Sequence, residues 1–577
     1  MSRQGTGASN GAFERDQQTH TLESIAEVPR RELHFIDDDE ESESFSDKYS
    51  THIRCVKIIV INGIVGAYFA WATYHFFNKK LSESECSSMW CDGYGMLALL
   101  MIFVYTCLIY FNVLKPLLGR CISTSIRPYK RQISATFQKS KFLKVAFVVV
   151  ILLIFAVCIG IDTYKSPERL QSLLGIVILL SIGFAFSKHR SQINWRPVIF
   201  GVILQFILGL FCIRIEIGRK IFVCLGEKVA VFFSFAKHGA KFVYGADLVE
   251  TAKVFAFSIL PVIFFFSFII SILYYYGAMQ WIIKKMGDML QSILGTTMCE
   301  SVTVAANIFL GMTESPLIIQ PYIKYLTASE IHVIMSSGFA TVSGTVLAAY
   351  MDFGASASHL ITSSVMAAPA TLAFSKLIYP ETEISQTSSK TFKMEKSTEN
   401  SVLDAAANGA FAAISLIGGI IANLVAFVSF VAFMNGIVGW LSLLVGYDGI
   451  TIEWFFGKLF IPLAYIIGIP WKDCEKVGEV IALKNIANEF VAYERLGKLK
   501  AANEISLRSS AITTFAICGF ANLGSLGMMI GNLGAMCPEN RSVITSVAVR
   551  ALISGSIICF INASIAGLLM TDDISTA

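Results

Sequence analysis

Charge is what this sequence has least of. Only 15% of its 577 residues are Asp, Glu, Lys or Arg, against 54% hydrophobic residues, and the mean hydropathy is +0.62. Length alone would suggest several soluble domains. So little charge over so many apolar runs excludes that arrangement and describes a polytopic, all-α membrane protein. Motifs for chemistry are missing as well. The 13 cysteines form no CxxC pair and no Cys/His metal spacing, and there is no HExxH, GxSxG or histidine cluster. An intramembrane enzyme would need such a nucleophile or metal constellation, so no enzyme and no cofactor are expected. A net charge of +4 says little in itself, and no nucleic-acid partner is expected. No signal peptide precedes the first apolar segment.

The charges that exist set a topology. Residues 1–52 are polar, with an acidic cluster from Asp37 to Asp47, and are expected to form a disordered cytoplasmic tail. Residues 53–165 hold three apolar segments, near 57–78, 94–114 and 142–163. From Lys115 to Lys144 the chain carries eight lysines and arginines and no acidic residue, which places this loop in the cytoplasm. The amino terminus then lies inside and the loop between Cys86 and Cys91 outside, where a disulfide and two free thiols both fit the spacing. Residues 166–292 are expected to supply scaffold helices near 169–187, 197–214 and 253–276, with interfacial helices over 216–250. A first repeat is expected over 293–378, a polar loop over 379–404, one long scaffold helix over 405–446 and a second repeat over 447–577. The carboxy terminus is expected outside.

The segment that breaks the apolar pattern is Asn307-Ile-Phe-Leu-Gly-Met-Thr-Glu-Ser-Pro-Leu317. The apolar runs on either side are too short to span a bilayer, which takes ~20 residues. An ionisable group such as Glu314 costs ~2.5 kcal/mol or more at membrane depth, so it is rarely idle there. Two half-helices meeting at a polar tip are a common way for transporters to build a midplane site. The break has a counterpart at Asn488-Glu489. Gly338-Phe-Ala-Thr-Val-Ser-Gly344 likewise resembles Gly519-Phe-Ala-Asn-Leu-Gly-Ser525. Hairpin, interrupted helix and span, given twice, make a repeat-built transporter with two re-entrant hairpins.

Each polar group at these breaks has a chemistry. Thr313, Ser315 and Pro316 suit a helix start, so the first tip is expected to offer free N–H groups and a helix-dipole end. Glu314 and Glu489 offer acceptors for ribose hydroxyls or a base N–H. Asn522 and Ser525 are expected on one helix face, and Phe520 offers a stacking surface. Asn307 and Thr341, with the carbonyls of Leu310 and Val342, suggest a hard-oxygen cage for Na⁺, with Gly311 and Gly344 permitting the unwinding. Singly, an Asn or Thr in a membrane helix more often makes a structural hydrogen bond. An ion pair at Glu314 or Glu489 is disfavoured because no Lys or Arg sits within either tip. His332 and Lys324 read as interfacial anchors.

At these residues the chain resembles the concentrative nucleoside transporters. The family's first-hairpin motif stands here as Asn307 with Gly311-Met-Thr-Glu-Ser-Pro-Leu317, its second as Asn488-Glu-Phe-Val-Ala-Tyr-Glu494, and its later helix as Cys518-Gly-Phe-Ala-Asn-Leu-Gly-Ser525. The resemblance covers about 165–570, and the three leading spans resemble the extension of animal members. It implies a homotrimer in the plasma membrane, each subunit a static scaffold with a mobile transport domain. It implies nucleoside contacts at Met312, Thr313, Glu314, Val346, Glu489, Phe520, Asn522 and Ser525, and sodium ligands at Asn307, Leu310, Thr341 and Val342. Many members carry Gln where this chain has Met312. Gly311-Met312 with Thr345-Val346 resembles the purine-preferring animal subtype, since apolar surface and room favour a larger ring system. The expected activity is sodium-coupled nucleoside uptake by alternating access, the alternative being proton-coupled or broadly selective transport.

Overall fold

The computed structural model describes residues 45–78, 90–91, 93–109, 160, 162–164, 166–387, 392, 394 and 399–571. Among them the chain is helical and without strands, and seven helices are long and apolar enough to cross a membrane. Two units separate, over residues 1–133 and 134–577. In the first, α1 (Phe45–Asn78) begins ahead of the expected 57 and packs on α2 (Tyr94–Ile109). Phe76 stacks on Tyr94 with ring centroids 4.6 Å apart, and Tyr105 donates to Asn62 at 2.6 Å. Cys91 is disulfide-bonded; Cys86, the basic loop and nearly all of the expected third span lie outside the described residues.

The second unit opens with α3 (Leu170–Ala185) and α4 (Trp195–Gly209), the latter running on through a π-turn to Arg214. Two amphipathic helices follow, α5 (Glu216–Ser234) and α6 (Ala236–Tyr244). Next comes α7 (Pro261–Tyr275), whose helix start uses the preset φ of Pro261. The sequence reading passed over α8 (Ala278–Leu294), an amphipathic helix bounded by left-handed Gly277 and Gly295.

The two hairpins are built on one plan. In the first, α9 (Met298–Ala306) leads to the break, and a 3₁₀ segment (Ser315–Tyr325) returns from it. In the second, α15 (Trp471–Ile486) leads to a break at Ala487–Asn488, and α16 (Glu489–Ala501) returns; α14 (Ile452–Ile466), also missed in sequence, packs on α15. After each hairpin comes an interrupted helix. The first is α10 (Ala328–Ala340) followed by α11 (Gly344–Asp352), and the second is α17 (Leu507–Ile517) followed by α18 (Leu523–Met536). The starts are written locally: Thr327 and Glu330 close a capping box on α10, at 3.1 and 2.9 Å. A full span ends each series, α12 (Ala357–Ile378) and α19 (Arg541–Leu569), and the two pack against each other and against α10.

Between the two series runs α13 (Val402–Leu444), 43 residues and so ~65 Å long, about twice a bilayer's hydrocarbon core. Its most apolar stretch is only 11% buried, against 94% for α10–α11 and 89% for α12. The core therefore lies in the repeats. Arg508 fixes one end of it by donating to the carbonyls of Gly468 and Gly567 at 3.0 and 2.7 Å, a cation on the negative end of α19. Glu300, Lys376 and Glu381 tie the base of the first hairpin, with Lys376 2.9 and 3.1 Å from the two carboxylates. His332 is fully buried, its ring stacked on Tyr379, so it is no interfacial anchor. Lys324 is exposed and lies over the Tyr325 ring.

Candidate functional site

The first tip is tighter than its sequence suggested. The N–H groups of Glu314 and Ser315 both turn back onto Gly311 O, at 3.2 and 3.0 Å, so they are not free for a ligand. The returning segment is 3₁₀ rather than α, it has no side-chain cap, and Ser315 Oγ finds no partner. The reason is local: Pro321, inside the segment, removes an N–H donor that an α-helix would use, whereas Pro316 stands at the start where the N–H is spare. What the tip does present is the Glu314 carboxylate, whose buried Oε2 has no hydrogen-bond partner. Gly311 gives that carboxylate its room, because a Cβ at that position would collide with Glu314 Oε2 and push it aside.

The second tip follows the capping rule. Asn488 Oδ1 accepts the Val491 N–H at 3.1 Å, and Glu489 becomes the first residue of α16. Glu489 is already held: Asn522 Nδ2 donates to its Oε2 at 2.8 Å and the Tyr350 hydroxyl to its Oε1 at 3.4 Å. Asn522 and Ser525 do not share a helix face. Asn522 precedes α18 and caps it, its Oδ1 accepting the Ser525 N–H at 2.8 Å, so its amide is fixed with the nitrogen toward Glu489.

These elements enclose a cavity of about 490 Å³. Met312, Thr313, Glu314, Val346, Glu489, Phe520, Asn522 and Ser525 all line it, as do Gly311 and Thr345. Its size suits one small organic molecule. The remaining wall is α13, which the sequence reading did not assign to the site: Ala412, Ser415, Gly419, Asn423 and Phe427 face the cavity. A signal was present, since Ser415, Gly419 and Asn423 recur every four residues and so share one face of the helix. Asn532 was missed too; it donates to Thr313 O at 3.0 Å and ties α18 to the first tip.

Asn307, Leu310, Thr341 and Val342 lie apart from the cavity lining and are buried. Ser337, not singled out in sequence, joins the two side chains: Asn307 Nδ2 donates to its Oγ at 2.6 Å, and Thr341 Oγ1 donates to its carbonyl at 2.8 Å. Gly344 N–H meets Phe309 O at 3.1 Å, which closes the two unwound turns on each other. Asn307 Oδ1 is buried without a partner. An orphaned oxygen beside unwound turns is the donor set a hard monovalent cation takes.

A cavity held between two hairpin tips, in a repeat-built helical membrane protein, defines a secondary transporter. Three family models cover the chain in succession: Na⁺ dependent nucleoside transporter N-terminus over residues 174–247, nucleoside recognition over 256–357, and Na⁺ dependent nucleoside transporter C-terminus over 359–567. Sodium/nucleoside cotransporter 1 of Oryctolagus cuniculus is 43% identical over 488 residues, 82% of this chain and 73% of that one. Sodium/nucleoside cotransporter 2 of Rattus norvegicus is 41% identical over the same shares. The solved structure of CNTnw in an inward-facing substrate-bound state superposes with a TM-score of 0.66 at 38% identity, covering 70% of this chain and 98% of that one. The chain belongs to the Na⁺-dependent nucleoside transporter family. It is a multi-pass membrane protein, not an enzyme, and it couples nucleoside movement to Na⁺ by alternating access.

Proposed function

We propose that this transporter imports purine nucleosides, with uridine, across the plasma membrane, binding them between the two hairpin tips. The observation that carries the reading is the single cavity onto which all eight expected contact residues open. Glu314 and Glu489 accept from the hydroxyls of the ribose, and Asn522 and Ser525 complete that polar end. Phe520 offers its face to the base. Met312 and Val346, 5% and 3% exposed, make the wall beside the first tip apolar. A wide ring system gains from that surface, whereas a pyrimidine misses the amide that Gln would supply. Relatives of types 1 and 2 match at 43% and 41%, so overall identity does not choose the substrate and the cavity wall must.

Sodium binds at Asn307, Thr341 and the carbonyls of Leu310 and Val342, orders the first hairpin, and so completes the nucleoside site. The orphaned Asn307 Oδ1 supports this assignment. The subunits form a homotrimer, for which the exposed apolar length of α13 offers surface. The test is Na⁺-dependent uptake of labelled adenosine in cells expressing the chain, competed by inosine, guanosine, uridine and thymidine. Competition by the purines and uridine, with thymidine weak, is the expected result. Thymidine competing as well as inosine would overturn the purine reading.

A further inference from the structure

In the first repeat two helix ends converge on the oxygen cage: α9 stops at Ala306 before Asn307, and α10 stops at Ala340 before Thr341. The second repeat has the same construction, with α15 stopping at Ile486 and α17 at Ile517 before Cys518. No Asn–Thr pair stands there. Instead Lys484, in the last turn of α15, is 0% exposed and its ammonium has no hydrogen-bond partner. It lies within electrostatic reach of Cys559, Glu489 and Cys518. Cys559 lies beside the break of α17, its thiol 3.3 Å from Cys518 O, and also meets the break of α10 in the first repeat, 3.7 Å from Ala340 O. The other titratable groups packed on Glu489 are Tyr350 and Tyr493, stacked 4.3 Å apart.

A buried ammonium without partners is costly unless its surroundings supply negative charge. Helix carboxyl ends supply part of it and Glu489 the rest. We propose that Lys484 is the resident cation of the second repeat. It fills, with the protein's own ammonium, the place where the first repeat takes sodium, and it balances the Glu489 carboxylate. The inference rests on the proposed sodium and nucleoside sites and adds the residue that spares the second repeat an ion from solution.

The test uses the full chain with Lys484→Met, Lys484→Arg and the double variant Lys484→Met/Glu489→Gln, reading surface amount by biotinylation and uptake against sodium concentration. Lys484→Arg is expected to keep the sodium dependence of the parent. Lys484→Met is expected to move half-saturating sodium up by about tenfold and to steepen the curve, since a second cation must now come from solution. A merely structural lysine would lower uptake and leave the curve's shape and midpoint alone, and that result overturns the proposal. Where Lys484→Met fails to reach the surface, the double variant must restore delivery, because it removes both charges of the pair; a double variant delivered as poorly as the single one also overturns it. Thr341→Ala serves as the control for the first repeat: an unmoved sodium curve there sinks the sodium site and leaves the Lys484–Glu489 pair to stand or fall on the surface amounts.

Discussion

The two hairpins have one plan and opposite states of readiness. The first tip carries a carboxylate with an unpartnered buried oxygen, Glu314 Oε2, beside an oxygen cage with an unpartnered atom of its own, Asn307 Oδ1. The second tip is satisfied: Glu489 is held by Asn522 and Tyr350, and Asn488 and Asn522 each cap a helix. An unpartnered buried acceptor costs ~1–3 kcal/mol, so the first tip stores a demand that an ion and a ligand can meet. The second tip is preorganised and needs neither to hold its shape. On the proposed sites, coupling follows from that asymmetry, because an ion that completes the first repeat would complete the nucleoside site with it.

The largest effects should come from the two glutamates, and they should differ in kind. Replacing either by Gln removes hydrogen bonds to a charged group, worth ~1.5–3 kcal/mol, so sodium-dependent uptake should fall roughly a hundredfold with protein still at the surface. Glu314→Gln should leave the melting temperature of the ligand-free protein unchanged, since Oε2 has no partner to lose. Glu489→Gln should lower it, since Asn522 and Tyr350 lose the carboxylate they hold. Equal melting temperatures would remove the distinction between a demanding tip and a satisfied one.

The glycines of the paired motif test the comparison at the level of packing. A Cβ at Gly519 would stand 2.6 Å from the backbone oxygen of Phe339, which cannot move alone. At Gly338 it would stand 2.5 Å from the terminal methyl of Met529, which can, and 2.7 Å from Met312 Cβ. Overpacking costs ~1–3 kcal/mol, so Gly519→Ala should lie at the upper end and Gly338→Ala at the lower, read as melting temperatures of the purified proteins. Thr341→Ala comes next. It removes one proposed sodium ligand and the bond to Ser337 O, and half-saturating sodium should rise about fivefold to tenfold, the scale of one neutral polar contact. Unchanged sodium activation would move the ion elsewhere.

Much of this was legible in the sequence because membrane helices announce themselves and because breaks in them are rare. The hairpin tips and the interrupted helices were found from short polar motifs in apolar runs, and Glu314, Glu489, Phe520, Asn522 and Ser525 with them; Met312 and Val346 came from the family resemblance. Three things were not legible. The partner of Asn307 and Thr341 is Ser337, a serine like many others until the fold sets it between them. The wall on α13 consists of residues unremarkable one by one, which become a surface only when a helix faces the cavity. Lys484 lies outside the second tip in sequence, so the absence of a basic residue within that tip seemed to leave Glu489 without a counter-charge. In three dimensions the last turn of α15 brings the ammonium within reach of it. Periodicity reports what one helix does with its own faces; the contacts that decide function here lie between elements far apart in the chain.

The smallest effect concerns substrate choice, and it also belongs to the first tip. Met312 and Val346 both line the cavity, on the hairpin and on α11 respectively. Met312→Gln adds an amide that can pair with a base edge and removes apolar surface that favours a wide ring system. Each change is worth about one neutral hydrogen bond, so the ratio of pyrimidine to purine uptake should rise about fivefold while total sodium-dependent uptake stays within the same range. Labelled uridine and adenosine, measured in parallel, read the ratio directly. Phe520→Leu, on the second repeat, should weaken both substrates together because an aromatic face serves either base. A ratio moved by Phe520→Leu and untouched by Met312→Gln would place discrimination on the preorganised side of the site, where the satisfied hydrogen bonds leave least room for it.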